Sequence, residues 1–170
     1  MIKLITPSYE LKNEIIDFKE EFITNNENTI PGSELLDKIP IFDEWLEYVN
    51  KNNSTITVSK EWVVTDTYIA KENDKIVGII SFRHELNDFL KDLGHIGYSV
   101  RPSCRCKGYA TSMLKEVLKI AKEYGLKEIQ ISSEKDNTAS IKIIEKNNGK
   151  YIRSFNYLDK EIYVYKIKLY

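Results

Sequence analysis

The stretch HIGYSVRPSCRCKGYATSML, residues 95–114, decides how this chain folds. His95 to Val100 reads as a strand, and Arg101 to Cys106 as a short polar turn. From Lys107 to Tyr124 the chain is helical in pattern. Ala110, Met113, Leu114, Val117, Leu118, Ala121 and Tyr124 make one apolar stripe. Gly125 stands where a left-handed cap ends such a helix. Arg101, Arg105 and Lys107 sit at the turn. A helix start leaves up to four backbone N–H groups unpaired and carries partial positive charge, which together make an anion site. Several N–H donors with basic side chains suit a pyrophosphate, and Gly108 has no side chain to block its approach. Neither a G-x-x-x-x-G-K-[ST] nor a G-x-G-x-x-G run occurs in the chain, so the P-loop and dinucleotide fingerprints are absent.

Outward from this stretch, strands alternate with helices. Downstream, Glu128–Ser133 reads as a strand, Asn137–Asn147 as a short helix followed by Gly149, and Lys150–Phe155 and Glu161–Leu169 as two strands. Upstream, Val63–Lys71 and Lys75–Arg83 form a hairpin around Glu72-Asn73-Asp74. Ile2 to Thr6 is a short strand, stopped by Pro7. Ser8 is placed to cap a helix running from Tyr9 to about Phe22, and a second helix covers Phe42 to Val49. The order β-α-α-β-β-β-α-β-α-β-β predicts an α+β (α/β) domain with helices on both faces of a central sheet. The β-α-β unit implies at least one parallel pair joined by a right-handed crossover.

With 170 residues the chain is one ordinary domain, 1–170. Hydrophobic residues make up 42% and charged residues 30%, enough to fold without staples. Two cysteines build no disulfide scaffold, and no apolar run is long enough to span a bilayer. The N-terminus lacks a secretory pattern, so a cytoplasmic protein with no membrane association is expected. The net charge of -1 argues against a nucleic-acid coat. It also hides a division. Residues 1–75 hold 8 Lys+Arg against 15 Asp+Glu, a balance of −7, and residues 76–170 carry +6. That division suits an anion on the second half and a cation on the first.

Arg105-Cys-Lys-Gly108-Tyr-Ala110 matches R-x-x-G-x-[GA], the acyl-CoA pyrophosphate loop of the GNAT N-acetyltransferase superfamily. Asp136-Asn-Thr-Ala-Ser-Ile-Lys-Ile-Ile-Glu-Lys146 resembles its DN-x-AS…EK segment, in register with the loop. The chain therefore resembles GNAT enzymes over about residues 94–150, and within them a group of bacterial predicted acetyltransferases. The resemblance implies a mixed, mostly antiparallel sheet. Acceptor-side elements would lie in about 1–75 and the acetyl-CoA-binding core in about 76–170. It implies acetyl-CoA as co-substrate and direct attack by a primary amine, carried by a small molecule or a peptide. No metal or nucleic acid takes part, and homodimers are common in the family. Main-chain groups of Tyr98, Ser99 and Val100 would pair with pantetheine. A bulge usually splays this strand, and Gly97 is compatible with one. Backbone N–H groups from Arg105, Cys106, Lys107, Gly108, Tyr109 and Ala110, with Thr111, would bind the pyrophosphate. Asn137 and Ser140 match residues that contact the pantetheine or adenosine end.

Acetyl transfer to an amine needs a base, because a lysine-like amine with a pKa of about 10.4 is protonated at neutral pH. His95 is the candidate, with His84 and Glu85 behind it. A proton donor for the departing thiolate is harder to find. Alignment on Asn137–Ser140 puts Ile144 where the family often carries Tyr, and neither Tyr98 nor Tyr151 can be assigned from sequence. That departure keeps open a second class, an acyl-CoA-binding sensor or pseudoenzyme. Cys104-x-Cys106 does not make a metal site. Trp45, Tyr48, Trp62 and Tyr68 suit either core packing or an acceptor pocket. Glu14, Asp17, Glu20 and Glu21 suit a solvated face or the attraction of a cationic amine.

Overall fold

The structure, a computed structural model, describes residues 1–170. Strands are β1 (Lys3–Ile5), β2 (Thr65–Glu72), β3 (Lys75–Arg83), β4 (Ile96–Val100), β5 (Glu128–Glu134), β6 (Lys150–Tyr157) and β7 (Lys160–Lys168). Helices are α1 (Lys12–Thr24), α2 (Phe42–Asn52), α3 (Tyr109–Glu123) and α4 (Thr138–Lys146). Two antiparallel sheets form, in the orders β1-β2-β3-β4 and β5-β7-β6. No helix is long and apolar enough to cross a membrane.

Strand β3 explains the layering. Seven consecutive residues, Ile76 to Phe82, are buried, so both of its faces are covered. Ile76 and Ile79, with Ile69 of β2, pack against Ile15, Phe18 and Phe22 of α1 and Trp45 and Val49 of α2. Val77, Ile80 and Phe82 point the other way, into a core with Met113, Leu114 and Val117 of α3. Burying each such side chain is worth about 1.5–3 kcal/mol. A register shift, with Ile76 opposite Lys71 and Gly78 opposite Ala70, leaves Val77 unpaired and resets the alternation. Ile76 and Ile79 therefore share one face, Val77, Ile80 and Phe82 the other, and each face recruits a helix layer.

The turn between β2 and β3 places Asn73 and Asp74 at φ 47° and 63°, the geometry of a type I′ hairpin. Leu158 and Asp159 repeat it between β6 and β7, at φ 46° and 63°. Leucine carries no such turn signal, so the sequence pattern stops β6 early, at Phe155. Past α3, the N–H of Gly125 reaches Lys122 and that of Leu126 reaches Ala121, closing the helix as expected. After α4 the left-handed residue is Asn148, at φ 65°, and not Gly149. Gly149 is needed for another reason: a Cβ there would press on Ile144, 2.8 Å from its carbonyl oxygen. Ser8 precedes a 3₁₀ turn over Tyr9–Leu11 and makes no side-chain cap.

Two expectations about β4 need correction. No parallel ladder forms. The residues just before β4 meet the middle of β5, at the Gly94–Ile131 bridge and the bond from His95 N–H to the Gln130 carbonyl at 2.8 Å. Beyond that point they part. Nor does a bulge at Gly97 cause the parting, because β4 pairs with β3 in unbroken register, Gly97 opposite Ser81. Gly97 instead lets another backbone in. A Cβ on it would meet the Cα of Gly32 at 3.0 Å, where the loop between α1 and α2 crosses β4.

Candidate active site

The parting of β4 from β5 opens a cleft of about 630 Å³. Tyr98, Ser99 and Val100 form one wall. The turn from Cys104 to Thr111 forms the floor, and Asn137, Ser140 and their neighbours on α4 form the other wall. Gly108 is the residue before α3, at φ 82°. The first bond of the helix runs from Ser112 N–H to Gly108 carbonyl. From Cys106 to Thr111 no backbone N–H has an acceptor in the protein. That run is longer than the four orphan donors of an ordinary helix start. The gain comes from Cys106, held at φ 62°, which turns the loop so that its amide joins the row. A Cβ on Gly108 would meet nothing within 4 Å, so the approach is open. Donors without acceptors beside a roomy cleft fit a polyphosphate.

Of the residues expected to hold a cofactor, all line this cleft except Lys107. The Arg105 N–H, however, is not free as expected, because the turn before it directs that donor to the Pro102 carbonyl at 3.3 Å. Lys107 is exposed, and its Nζ lies 3.4 Å from the Ser103 carbonyl. Asn137 caps α4, accepting the Ser140 N–H at 3.1 Å. Ser140 Oγ lies 2.8 Å from Tyr98 Oη, bridging the gap between β4 and α4. Burial raises the Tyr98 phenol above its usual pKa, so it remains protonated at neutral pH. Ile144 is fully buried in the core below. Tyr151 stacks edge-on against Tyr163, away from the cleft.

The basic turn divides its labour. Arg105 grips Glu27 through two bonds of 2.7 Å and stays at the cleft. Arg101 turns inward instead. It pairs with Asp17 and Glu21 of α1 and donates to the Ile76 carbonyl at 3.2 Å. It therefore ties α1 to β3 and does not serve the anion site. Part of the first half's negative charge is answered in this way. Asp17, Glu21, Glu27, Glu34 and Asp66 all face Arg or His side chains of the second half, and Glu14 faces Lys71.

A second cavity, of about 400 Å³, adjoins the cleft and shares Thr29 and Pro31 with it. A strap, Thr29 to Leu35, separates the two. Ser99 Oγ donates to the Pro31 carbonyl at 2.7 Å, and Trp45 Nε1 donates to the carbonyls of Ser33 and Glu34 at 2.9 and 3.1 Å. Glu34 and Leu35 are both left-handed, at φ 49° and 68°, which costs about 1–2 kcal/mol each. The cavity walls include Tyr48, Trp62, Phe89, Glu34 and Arg83. Burial raises the Glu34 carboxyl pKa against the opposing pull of Arg83. Of the four aromatic residues singled out in the sequence, Tyr48 and Trp62 line this cavity. Trp45 is core, and Tyr68 packs against the core with its hydroxyl 3.3 Å from Asp66. Glu34, Arg83 and Phe89 come from distant segments, and no local motif marks them. Only Pro31-Gly32 hints at a tight strap.

His95 lines neither space. It is buried where β4 and β5 part. Its Nδ1 lies 3.0 Å from Gln130 N and 3.3 Å from Gln130 O, and the shorter contact is an N–H donating to a neutral ring. Burial lowers its pKa, consistent with that form. His84 is stacked 4.1 Å from Tyr124 and bonded to Asp66 at 2.8 Å. Glu85, next in the chain, lines neither cavity. Cys104 is buried and Cys106 exposed, and no three His, Cys, Asp or Glu side chains are grouped to hold a metal.

This split sheet with an N–H-rich loop at a helix start defines an α/β domain with an anion-binding cleft. The model of the acetyltransferase (GNAT) family matches residues 34–149, and the chain belongs to that family. Solved structures of similar fold include a GNAT acetyltransferase from Streptococcus pneumoniae, at 16% identity, 99% coverage of both chains and a TM-score of 0.72. RimL, the ribosomal L7/L12 alpha-N-protein acetyltransferase in complex with coenzyme A, matches at 13% identity, 99% and 94% coverage and a TM-score of 0.73. The microcin C7 self-immunity acetyltransferase MccE, in complex with acetyl-CoA and AMP, matches at 16%, 98% and 92%, with a TM-score of 0.71. Comparison with curated proteins finds no match.

Proposed function

We propose that this protein transfers an acetyl group from acetyl-CoA to a primary amine by direct attack within one ternary complex. The observation that carries this reading is the row of unpaired N–H groups from Cys106 to Thr111, opening on the cleft between β4 and α4. Bound there, acetyl-CoA would supply an activated thioester. The chain's own groups do the rest. The loop amides hold the diphosphate and the free edge of β4 at Tyr98–Val100 orients the pantetheine arm. Tyr98, half-buried and protonated, is the donor for the departing thiolate, the role that Ile144 cannot fill. In this reading His95 holds the point where the strands part, and the amine's proton leaves on the acceptor side.

The test is coenzyme A binding by calorimetry, followed by thiol release from acetyl-CoA against an amine panel. Gly108→Trp fills the open approach and should abolish coenzyme A binding while the domain stays folded. Unchanged affinity refutes the loop assignment. Binding with no thiol release for any amine favours the sensor reading, which the burial of Ile144 keeps in view. His95→Ala should leave the pH profile of turnover unmoved, and a shifted profile would restore His95 as the base.

A further inference from the structure

The three arginines near the site are used differently. Arg101 has Asp17, Glu21 and a carbonyl, and Arg105 has both oxygens of Glu27 and a carbonyl. Arg83, with 14% of its side chain exposed, is far more enclosed than Arg105 at 42%, yet it makes one hydrogen bond, to the Gly94 carbonyl at 3.1 Å. Its nearest carboxylate, Glu34, stands 3.8 Å away, beyond hydrogen-bond reach, and its Nε has no partner. The Nε1 of Trp62, whose ring lies under this guanidinium at 5.9 Å, has none either. A guanidinium has five N–H donors, and leaving them unmatched away from water is costly. The Glu34 carboxylate, 4% exposed, has only the Ser81 hydroxyl beside it as a hydrogen-bonding side chain. A loose pair of opposite charges, under-bonded at the wall of a cavity with aromatic sides, is arranged for a ligand that completes both.

We infer that the cavity beside the strap binds the acceptor as a small amino acid, its ammonium group on Glu34 and its carboxylate on Arg83, with an apolar side chain against Tyr48, Trp62 and Phe89. This assignment rests on the acetyl-transfer reading. Two adjacent charges of opposite sign match a molecule whose amine and carboxylate stand on neighbouring atoms. A polyamine would bring a second cation towards Arg83, and an internal lysine of a peptide would leave Arg83 unmatched. Thr29 and Pro31 line both cavities, so the two spaces adjoin there, and the amine must reach the thioester past that shared edge. In the reaction the ammonium gives one proton to Glu34, and the freed lone pair forms the N–C bond to the acetyl carbonyl. The C–S bond breaks with its electron pair on sulfur. The nitrogen's surplus proton leaves as the thiolate is protonated.

The experiment titrates the protein first with coenzyme A, then, at saturating coenzyme A, with each of the free L-amino acids, the C-terminal amides of those that bind, and spermidine. At least one amino acid with an apolar side chain should bind, and its amide should bind at least tenfold more weakly. Spermidine should not bind. Arg83→Met should bind acid and amide alike, and Arg83→Lys should recover part of the preference. The amino acid that binds should release thiol from acetyl-CoA, and Glu34→Gln should slow that release more than it weakens binding. Equal binding of acid and amide by the unaltered protein overturns the inference even where a variant fails to fold. So does binding of spermidine alone, or of no amino acid, or binding without thiol release. If coenzyme A itself fails to bind, the acetyl-transfer reading falls first. If coenzyme A binds and the amino acids do not, only the acceptor assignment falls.

Discussion

Replacing Gly32 by alanine should damage this protein far more than the same change at Gly108, although both glycines are left-handed, at φ 76° and 82°. Each substitution costs about 1–2 kcal/mol for placing a Cβ in that region. At Gly108 nothing more is lost, because the Cβ meets no atom within 4 Å. At Gly32 the Cβ would lie deep inside the Gly97 carbonyl and 2.5 Å from the Tyr98 nitrogen. Those are backbone atoms of β4, held in register against Ser81 and Ile80 of β3, so they cannot retreat. The strap must lift instead. Lifting it breaks the bond from Ser99 Oγ to the Pro31 carbonyl, worth about 1 kcal/mol net. It also uncovers part of Ile30, worth about 1 kcal/mol more. The total for Gly32→Ala is about 3–4 kcal/mol. For a domain of this size each kcal/mol moves Tm by roughly 2–4 °C. Thermal unfolding of the two variants should therefore show Gly32→Ala melting about 6–16 °C below the parent, and Gly108→Ala only about 2–8 °C below. Equal shifts would refute the close approach of strap and strand. They would also remove the wall that separates the two cavities.

Two further predictions concern acid and catalysis. Burial alone would raise the Glu21 pKa, but Arg101 and the Ser103 N–H outweigh it and hold the carboxyl at about 2. An unfolded glutamate titrates near 4.3, so the stability from this pair is complete above about pH 4.3 and is lost as the pH falls towards 2. Solvent reaches the pair, so its worth is about 1–2 kcal/mol. Glu21→Gln should lower stability at pH 7 by that amount and converge on the parent near pH 2, as measured by urea unfolding. A constant difference at all pH values would refute the pairing. Tyr98→Phe should lower kcat about 10²-fold while leaving the KM for acetyl-CoA within a few-fold, because the phenol acts on the leaving group and not on affinity. An unchanged kcat would remove Tyr98 as the donor.

Much of the architecture was legible because it is local. The stripe from Ala110 to Ala121, the Gly125 cap and the Asn73-Asp74 turn each depend on neighbours a few positions away. The phosphate-facing loop was legible for the same reason. Its donors are backbone groups of consecutive residues, and spacing alone lines them up. Arg101 was misplaced because its partners, Asp17 and Glu21, lie about eighty residues upstream. A basic residue at a turn reads the same whether it faces solvent or a buried carboxylate. The charge division is answered only in part inside the protein: Asp17, Glu21 and Glu27 of the first half pair with Arg101 and Arg105 of the second, while Glu34 stands at a cavity.

The sequence by itself determined the family, the layered sheet and the loop of amides, because periodicity, turn chemistry and a six-residue spacing are properties of adjacent positions. Only the tertiary structure decided where the acceptor can sit. The Glu34 carboxylate, the Arg83 guanidinium and the Trp62, Tyr48 and Phe89 rings come from separate segments. They meet because Gly32 and Gly97 let a strap cross β4 at backbone contact. That crossing turns a loop into the wall of a cavity, and it arises from packing between segments that have no short-range relation in the chain.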